Sequence, residues 1–211
     1  MIEATKISKS TDTAVRQRLL SCATRLFTRK GYTATTVREI VEAAGVTKPV
    51  LYYYFRNKEG IYLELIRQAF MRFDALLDAS RDHRGSVTDR MLRFSDQVFS
   101  LFMENVDVGR LMYSIHYGPP QGAPFFDFDA YHIKFQDTIR RLVNEGIRKK
   151  EFHKGNAENI MWAIIGAVNV AMEVRLCHPE MGMERKRLVR ILRLILQGIS
   201  AQRARQEEKR K

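Results

Sequence analysis

The stretch 35-TTVREIVEAAGVTKPVLYYYFRNKEGIY-62 decides the fold. Its Thr36-x-x-Glu39 step is a capping-box pattern, in which each side chain satisfies a free amide at a helix start. Val37, Ile40, Val41 and Ala44 then recur at three and four and give one apolar face, and Gly45 ends the helix after little more than two turns. Thr47 is placed to cap a following helix, with Pro49 inside its first turn, where a missing N–H costs little. Two short helices about a Gly-Val-Thr turn predict a helix-turn-helix.

The second of these helices carries three adjacent tyrosines. Leu51 and Phe55 lie at i and i+4 and share its buried face; Tyr52 and Tyr53 point away from that seam, and Tyr54 is intermediate. Core packing is the ordinary use of an aromatic run and accounts for Leu51 and Phe55. Extending it to Tyr52 and Tyr53 would leave the helix no solvent face. With Lys48 at the start of the helix, Lys58 just after it and Val50 between, the outer surface combines cations, phenol hydroxyls and a small apolar group. Lysines neutralise phosphates, tyrosines donate to phosphate oxygens, and a valine can meet a thymine methyl in the major groove.

Outward from this segment the same period continues. Val15, Leu19, Ala23, Leu26 and Phe27 predict a first helix starting at Thr11 or Asp12 and stopped by Gly31. Asn57 is placed to cap a fourth helix running through Ile61, Leu65, Phe70 and Phe73 to Leu77. Further helices are expected over Val87–Asn105, Asp107–Tyr117, Phe125–Lys150, Ala157–Leu176 and Glu184–Arg203, separated by Gly- and Pro-bearing breaks. Strand alternation is scarce, so the fold class is all-α.

The chain of 211 residues has a net charge of +12, which favours a polyanion or an anionic membrane surface as partner. Residues 1–57 hold ten basic against four acidic side chains, so half the excess sits with the tyrosine run. Cys22 and Cys177 are too far apart for a zinc or redox motif, and neither metal nor cofactor is expected. Cys177-His178 alone makes a poor metal site. The N-terminal residues lack the apolar core of a signal peptide, and Ile160–Val174 is too short to span a bilayer, so a cytoplasmic location without membrane is expected. An enzyme is not expected: no nucleophile–base–acid set or phosphate-binding Gly-rich loop is present.

The segment GYTATTVREIVEAAGVTKPVLYYYFRNKEGIY resembles the DNA-binding part of the TetR family of bacterial transcriptional regulators, whose pattern runs from a glycine–aromatic pair to an LYYYF-x-x-K-E block. The match covers Val15 to Leu65. The resemblance implies a homodimer offering two recognition helices to a near-palindromic double-stranded operator, with a small-molecule inducer of unknown identity releasing it. It places Thr36 and Arg38 at phosphate or flanking-base positions, Thr47, Lys48, Val50, Tyr52 and Tyr53 on the recognition helix, and Lys58 at a phosphate. The domains expected are residues 1–57, a basic arm plus helix-turn-helix; 58–202, a helical ligand-binding and dimerisation domain reached through a connector helix; and 203–211, a disordered basic tail. The arm from Lys6 to Arg18 either reaches a minor groove or is disordered.

In the larger part, Ile160–Val174 is apolar around most of its circumference, and the last helix has a face too broad for one neighbour. The resemblance makes these two helices a two-fold four-helix interface through Ile160, Ile164, Ala167, Ala171, Leu188, Leu192, Ile195 and Ile199. Phe99, Phe102, Met103, Tyr113, His116, Tyr117, Phe126, Tyr131 and Trp162 either line an apolar ligand pocket or form ordinary core. A non-specific architectural DNA binder is the competing function; it would need no large apolar dimer-and-pocket domain.

Overall fold

The computed structural model describes residues 2–82, 84–116 and 122–200, with backbone alone at 2–11, 115 and 116. The tail 203–211, Tyr117 and the side chain of His116 therefore lie outside the described residues. Nine α-helices occur among the described residues: α1 Ile2–Ala34, α2 Val37–Ala44, α3 Lys48–Phe55, α4 Lys58–Ala79, α5 Val87–Glu104, α6 Val106–His116, α7 Phe128–Arg148, α8 Ala157–Cys177 and α9 Arg185–Gly198. The all-α expectation holds, with one isolated antiparallel bridge between Phe152 and Ser200.

Several boundaries differ from those expected. Helix α1 starts at Ile2 rather than at Thr11 or Asp12; residues 2–10 contain neither Pro nor Gly, so nothing interrupts the helix. Gly31 does break its regular geometry, at φ +80°. Helix α7 starts at Phe128 instead of Phe125, because Asp127 acts as its cap and accepts from Ala130 N at 3.0 Å. Helix α9 stops at Gly198, short of Arg203: the carbonyl of Ile199 accepts from His153 N at 2.9 Å, and the chain turns to pair with Phe152. Helix α8 has 21 residues and is long and apolar enough to cross a membrane by length and composition alone. Its inner face, Ile160, Met161, Ile164, Ile165, Val168 and Ala171, is nevertheless buried against α5, α7 and α9.

The chain forms two compact units. One contains the residues up to Met71 together with 105–126; the other contains 72–104 and the residues from 127 on. The division thus falls inside α4, whereas the sequence suggested 57/58. In the first unit the core is Leu19, Leu20, Ala23 and Phe27 of α1, Ile40, Val41 and Ala44 of α2, Leu51 and Phe55 of α3, Ile61, Tyr62, Leu65, Ile66 and Phe70 of α4, and Leu111 of α6. Each such aliphatic or aromatic side chain contributes about 1.5–3 kcal/mol by leaving water. In the second unit α5, α7, α8 and α9 close on a larger apolar core, crossed by a buried ion pair: Arg90 of α5 donates to Glu145 of α7 at 2.7 Å, both about 95% buried. The Glu151 carboxylate caps α5 from a distance, accepting from Val87 N at 2.8 Å and Thr88 N at 3.2 Å.

Candidate nucleic-acid interface

Helix α2 begins as its sequence requires. Thr36 Oγ1 accepts from Glu39 N at 3.2 Å, and Glu39 returns a carboxylate oxygen to Thr36 N at 2.9 Å. The Lys30 ammonium first, and the Thr36 donors after it, hold the Glu39 carboxyl down at about 2. Gly45, at φ +62°, closes the helix in the left-handed conformation, donating to the carbonyls of Glu42 and Val41. Thr47 then stands at the N-cap of α3 with Pro49 in the first turn, although the Thr47 side chain makes no capping hydrogen bond.

The tyrosine run divides as the seam demands. Leu51 and Phe55 are buried, fixing α3 on α2 and on the rest of the unit; Tyr52 is 46% and Tyr53 77% exposed. Lys48 is exposed and Val50 half-buried beside them. Tyr54 is half-buried, and its hydroxyl donates to the Asp12 carboxylate across 42 residues of sequence. That carboxylate pushes the phenol up to about 12. On the outward face, then, α3 offers one ammonium, two phenols and a small aliphatic group on a frame that cannot turn without unburying Leu51 and Phe55.

The other expected contact residues have partners of their own. Arg38 is exposed and paired with Glu42 one turn on, at 2.7 Å. The Thr36 hydroxyl is occupied by the capping box. The ammonium of Lys58, expected beside a phosphate, instead lies 3.1 Å from the carbonyl oxygen of Tyr32, 3.0 Å from that of Thr35 and 3.5 Å from that of Thr33. Three further residues hold the α1–α3–α4 frame and were not singled out from sequence. Arg16 pairs with Glu64 and stacks over the Phe55 ring at 5.4 Å. Arg56 takes a positive φ of +62° to end α3, and Gly60 N donates to the Asn57 side chain at 2.7 Å to start α4. The two arginines leave no local trace of such duties, whereas a glycine inside a helix start is a signal that could have been read.

The residues expected at a ligand pocket belong to different units. Tyr113 is half-buried in the first, where Phe126 stacks on Phe70 at 5.0 Å. In the second, Phe99 is sealed in the core, Phe102 and Met103 pack against it, and Tyr131 lies 6.3 Å from Phe73. Trp162 turns outward instead, 53% exposed on α8. Of the expected interface residues, Ile160, Ile164, Ala171, Leu188 and Leu192 are buried in the chain's own core, and Ala167, Ile195 and Ile199 pack against it. The large apolar side chains left exposed on these helices are Trp162 and Val170 of α8 and Leu194 of α9. The sequence could say that both helices were apolar on more than one side, but not which side the chain itself would cover.

Comparison with known proteins falls on the same segment. Residues 19–65 match the model described as bacterial regulatory proteins, tetR family. An uncharacterised helix-turn-helix transcriptional regulator of Bacillus subtilis, YdgC, is 34% identical over 107 residues, 49% of this chain and 55% of that protein. The transcriptional activator FasR of Mycolicibacterium smegmatis is 34% identical over 105 residues, 48% of this chain and 47% of its own length. The chain thus matches about half the length of these curated relatives. Among solved structures, a Clostridium perfringens putative fatty acid metabolism regulator aligns over 86% of this chain and 98% of its own with a TM-score of 0.69 and 22% identity, a likeness of fold. The family and these relatives are regulators rather than enzymes. The helix-turn-helix segment is thus similar to that of the tetR family of bacterial regulatory proteins, and the fold is like that of a solved bacterial regulator.

Proposed function

We propose that this chain is a sequence-specific DNA-binding transcriptional regulator, a homodimeric repressor that leaves a near-palindromic operator when a small molecule binds. The observation that carries the reading is the outward face of α3. Tyr52, Tyr53 and Lys48 stand exposed on a helix whose other side is locked by Leu51 and Phe55. Arg38 on α2, Thr47 at the α3 cap and Val50 complete the contacting set, with phosphates taken by the cations and base edges by α3. The dimer rests on the uncovered apolar face of α8 and α9, where Trp162, Val170 and Leu194 are each more than half exposed. Release by an inducer requires a ligand that prefers the DNA-incompetent state, since equal affinity for both states shifts nothing.

Selection of bound duplexes from a random DNA library at two salt concentrations tests this. Enrichment of an inverted repeat that persists at the higher salt is the expected result. Binding that enriches no sequence and vanishes with salt would leave only charge-driven affinity, and the architectural reading would replace this one.

A further inference from the structure

The ammonium of Lys58 sits where α1 gives way to α2. An ammonium has three donors and no acceptor, and the carbonyl oxygens of Tyr32, Thr35 and Thr33 surround this one at 3.1, 3.0 and 3.5 Å. The face of the Tyr32 ring lies 4.2 Å away and adds a cation–π contact. Helix ends leave carbonyls without partners and carry partial negative charge. Helix α1 has no basic residue in its last turn to answer them. The charge is supplied from α4 instead.

What the ammonium holds is the lead into the DNA-facing helices. Gly31 turns the chain at φ +80°. Thr35, fully buried, donates from Oγ1 to the Gly31 carbonyl at 2.8 Å and from N to that of Tyr32 at 3.2 Å. Tyr32 is wedged between Phe27 and Tyr62, with ring centroids 5.5 and 5.0 Å away. The next residue, Thr36, is the N-cap of α2. A displacement at Thr35 therefore shifts the start of α2 and, through the Gly45 turn, the aim of α3.

We propose that Lys58 is a positioning residue, a latch from α4 that fixes the α1–α2 junction, and that it does not ligate a DNA phosphate. The proposal rests on the DNA-binding reading above for its consequence, though not for its geometry. The two roles differ in what salt does. A lysine on a phosphate contributes about 0.9 to the slope of log affinity against log salt. A latch changes affinity through the orientation of α3 and leaves the number of neutralised phosphates alone.

The test compares the full chain with Lys58→Met and with Lys58→Gln, which keeps two donors without the charge and serves if the methionine variant folds poorly. Affinity for the selected inverted repeat is measured across a salt series, and amide hydrogen exchange is measured without DNA. The latch predicts affinity lower by roughly tenfold for methionine and less for glutamine, a salt slope unchanged, and faster exchange at Thr35 to Glu39 in the free protein. A slope lower by about 0.9 with exchange unchanged would overturn it, as would unchanged affinity and exchange. Should the wild type enrich no repeat, the regulator reading fails and exchange alone judges the latch: faster at the junction upholds it, unchanged sinks it.

Discussion

At the scale of single residues, α3 separates duties that its composition blurs. Tyr52 and Tyr53 differ from Tyr54 because the seam of Leu51 and Phe55 turns the first two to solvent and the third toward Asp12. Replacing Tyr52 by Phe removes one neutral donor and keeps the ring. The expected loss of operator binding is about 0.5–1.5 kcal/mol, with the salt slope intact. Lys48→Ala removes an exposed charge; it should weaken binding to all sequences alike and lower the salt slope by about 0.9, while thermal stability stays as in the wild type. Equal slopes for the two variants in a salt titration would mean that the face presented to DNA has been misassigned. The outward tyrosines and Lys48 were legible in the sequence because i and i+4 spacing settles which side a helix buries. The partners of Tyr54 and Lys58 were not, since Asp12 and the Tyr32 carbonyl meet them only once α1, α3 and α4 have packed.

At the scale of elements, boundaries written by local chemistry were legible and those set at a distance were not. The capping box, Gly45 and Pro49 fix α2 and α3 within one turn of sequence; the end of α9 depends on a pairing with Phe152, far upstream. The α3–α4 joint shows how tightly such local chemistry can bind. A Cβ on Gly60 would stand 1.9 Å from the carbonyl oxygen of Phe55. Alanine gains up to about 1 kcal/mol of helix propensity over glycine, but a backbone oxygen at that distance cannot step aside as a side chain would. Gly60→Ala is therefore expected to destabilise the first unit and abolish operator binding, the reverse of what propensity alone predicts; a raised melting temperature would contradict the packing. In the second unit, α5 and α7 are tied by Arg90 and Glu145. The Arg90 guanidinium, with Lys149 assisting, holds the Glu145 carboxyl at about 2, below its ordinary 4.5. A depressed carboxyl contributes stability in full above the unfolded value and loses it as pH falls toward the folded one. The wild type should thus lose stability between about 4.5 and 2. Glu145→Gln, which leaves the buried guanidinium uncompensated, should cost about 3–5 kcal/mol at neutral pH and flatten that acid limb in calorimetric scans.

At the scale of the whole molecule, the unsettled surface is the outer side of α8 and α9. Helix α8 needed apolar residues on its inner face for the core it shares with α5, α7 and α9. The same need does not explain Trp162 at 53%, Val170 at 52% or Leu194 at 69% exposure. Gly166 lies among them with open space beyond the place its Cβ would occupy, so a second backbone can come close there. Exposed apolar groups grouped on neighbouring helices mark a surface that something covers, and the near-palindromic operator proposed above would require a two-fold partner. Arginine at Val170 or Leu194 disturbs nothing inside the chain, because both side chains already face water. Val170→Arg and Leu194→Arg are therefore expected to keep the wild-type helicity and melting behaviour of isolated chains while sedimenting as monomers. Each monomer then loses the second recognition helix, and binding to the inverted repeat should fall to the level of a single half-site. A variant that sediments as a dimer, with full operator affinity, would mean that the two copies meet elsewhere and that this apolar face serves another partner.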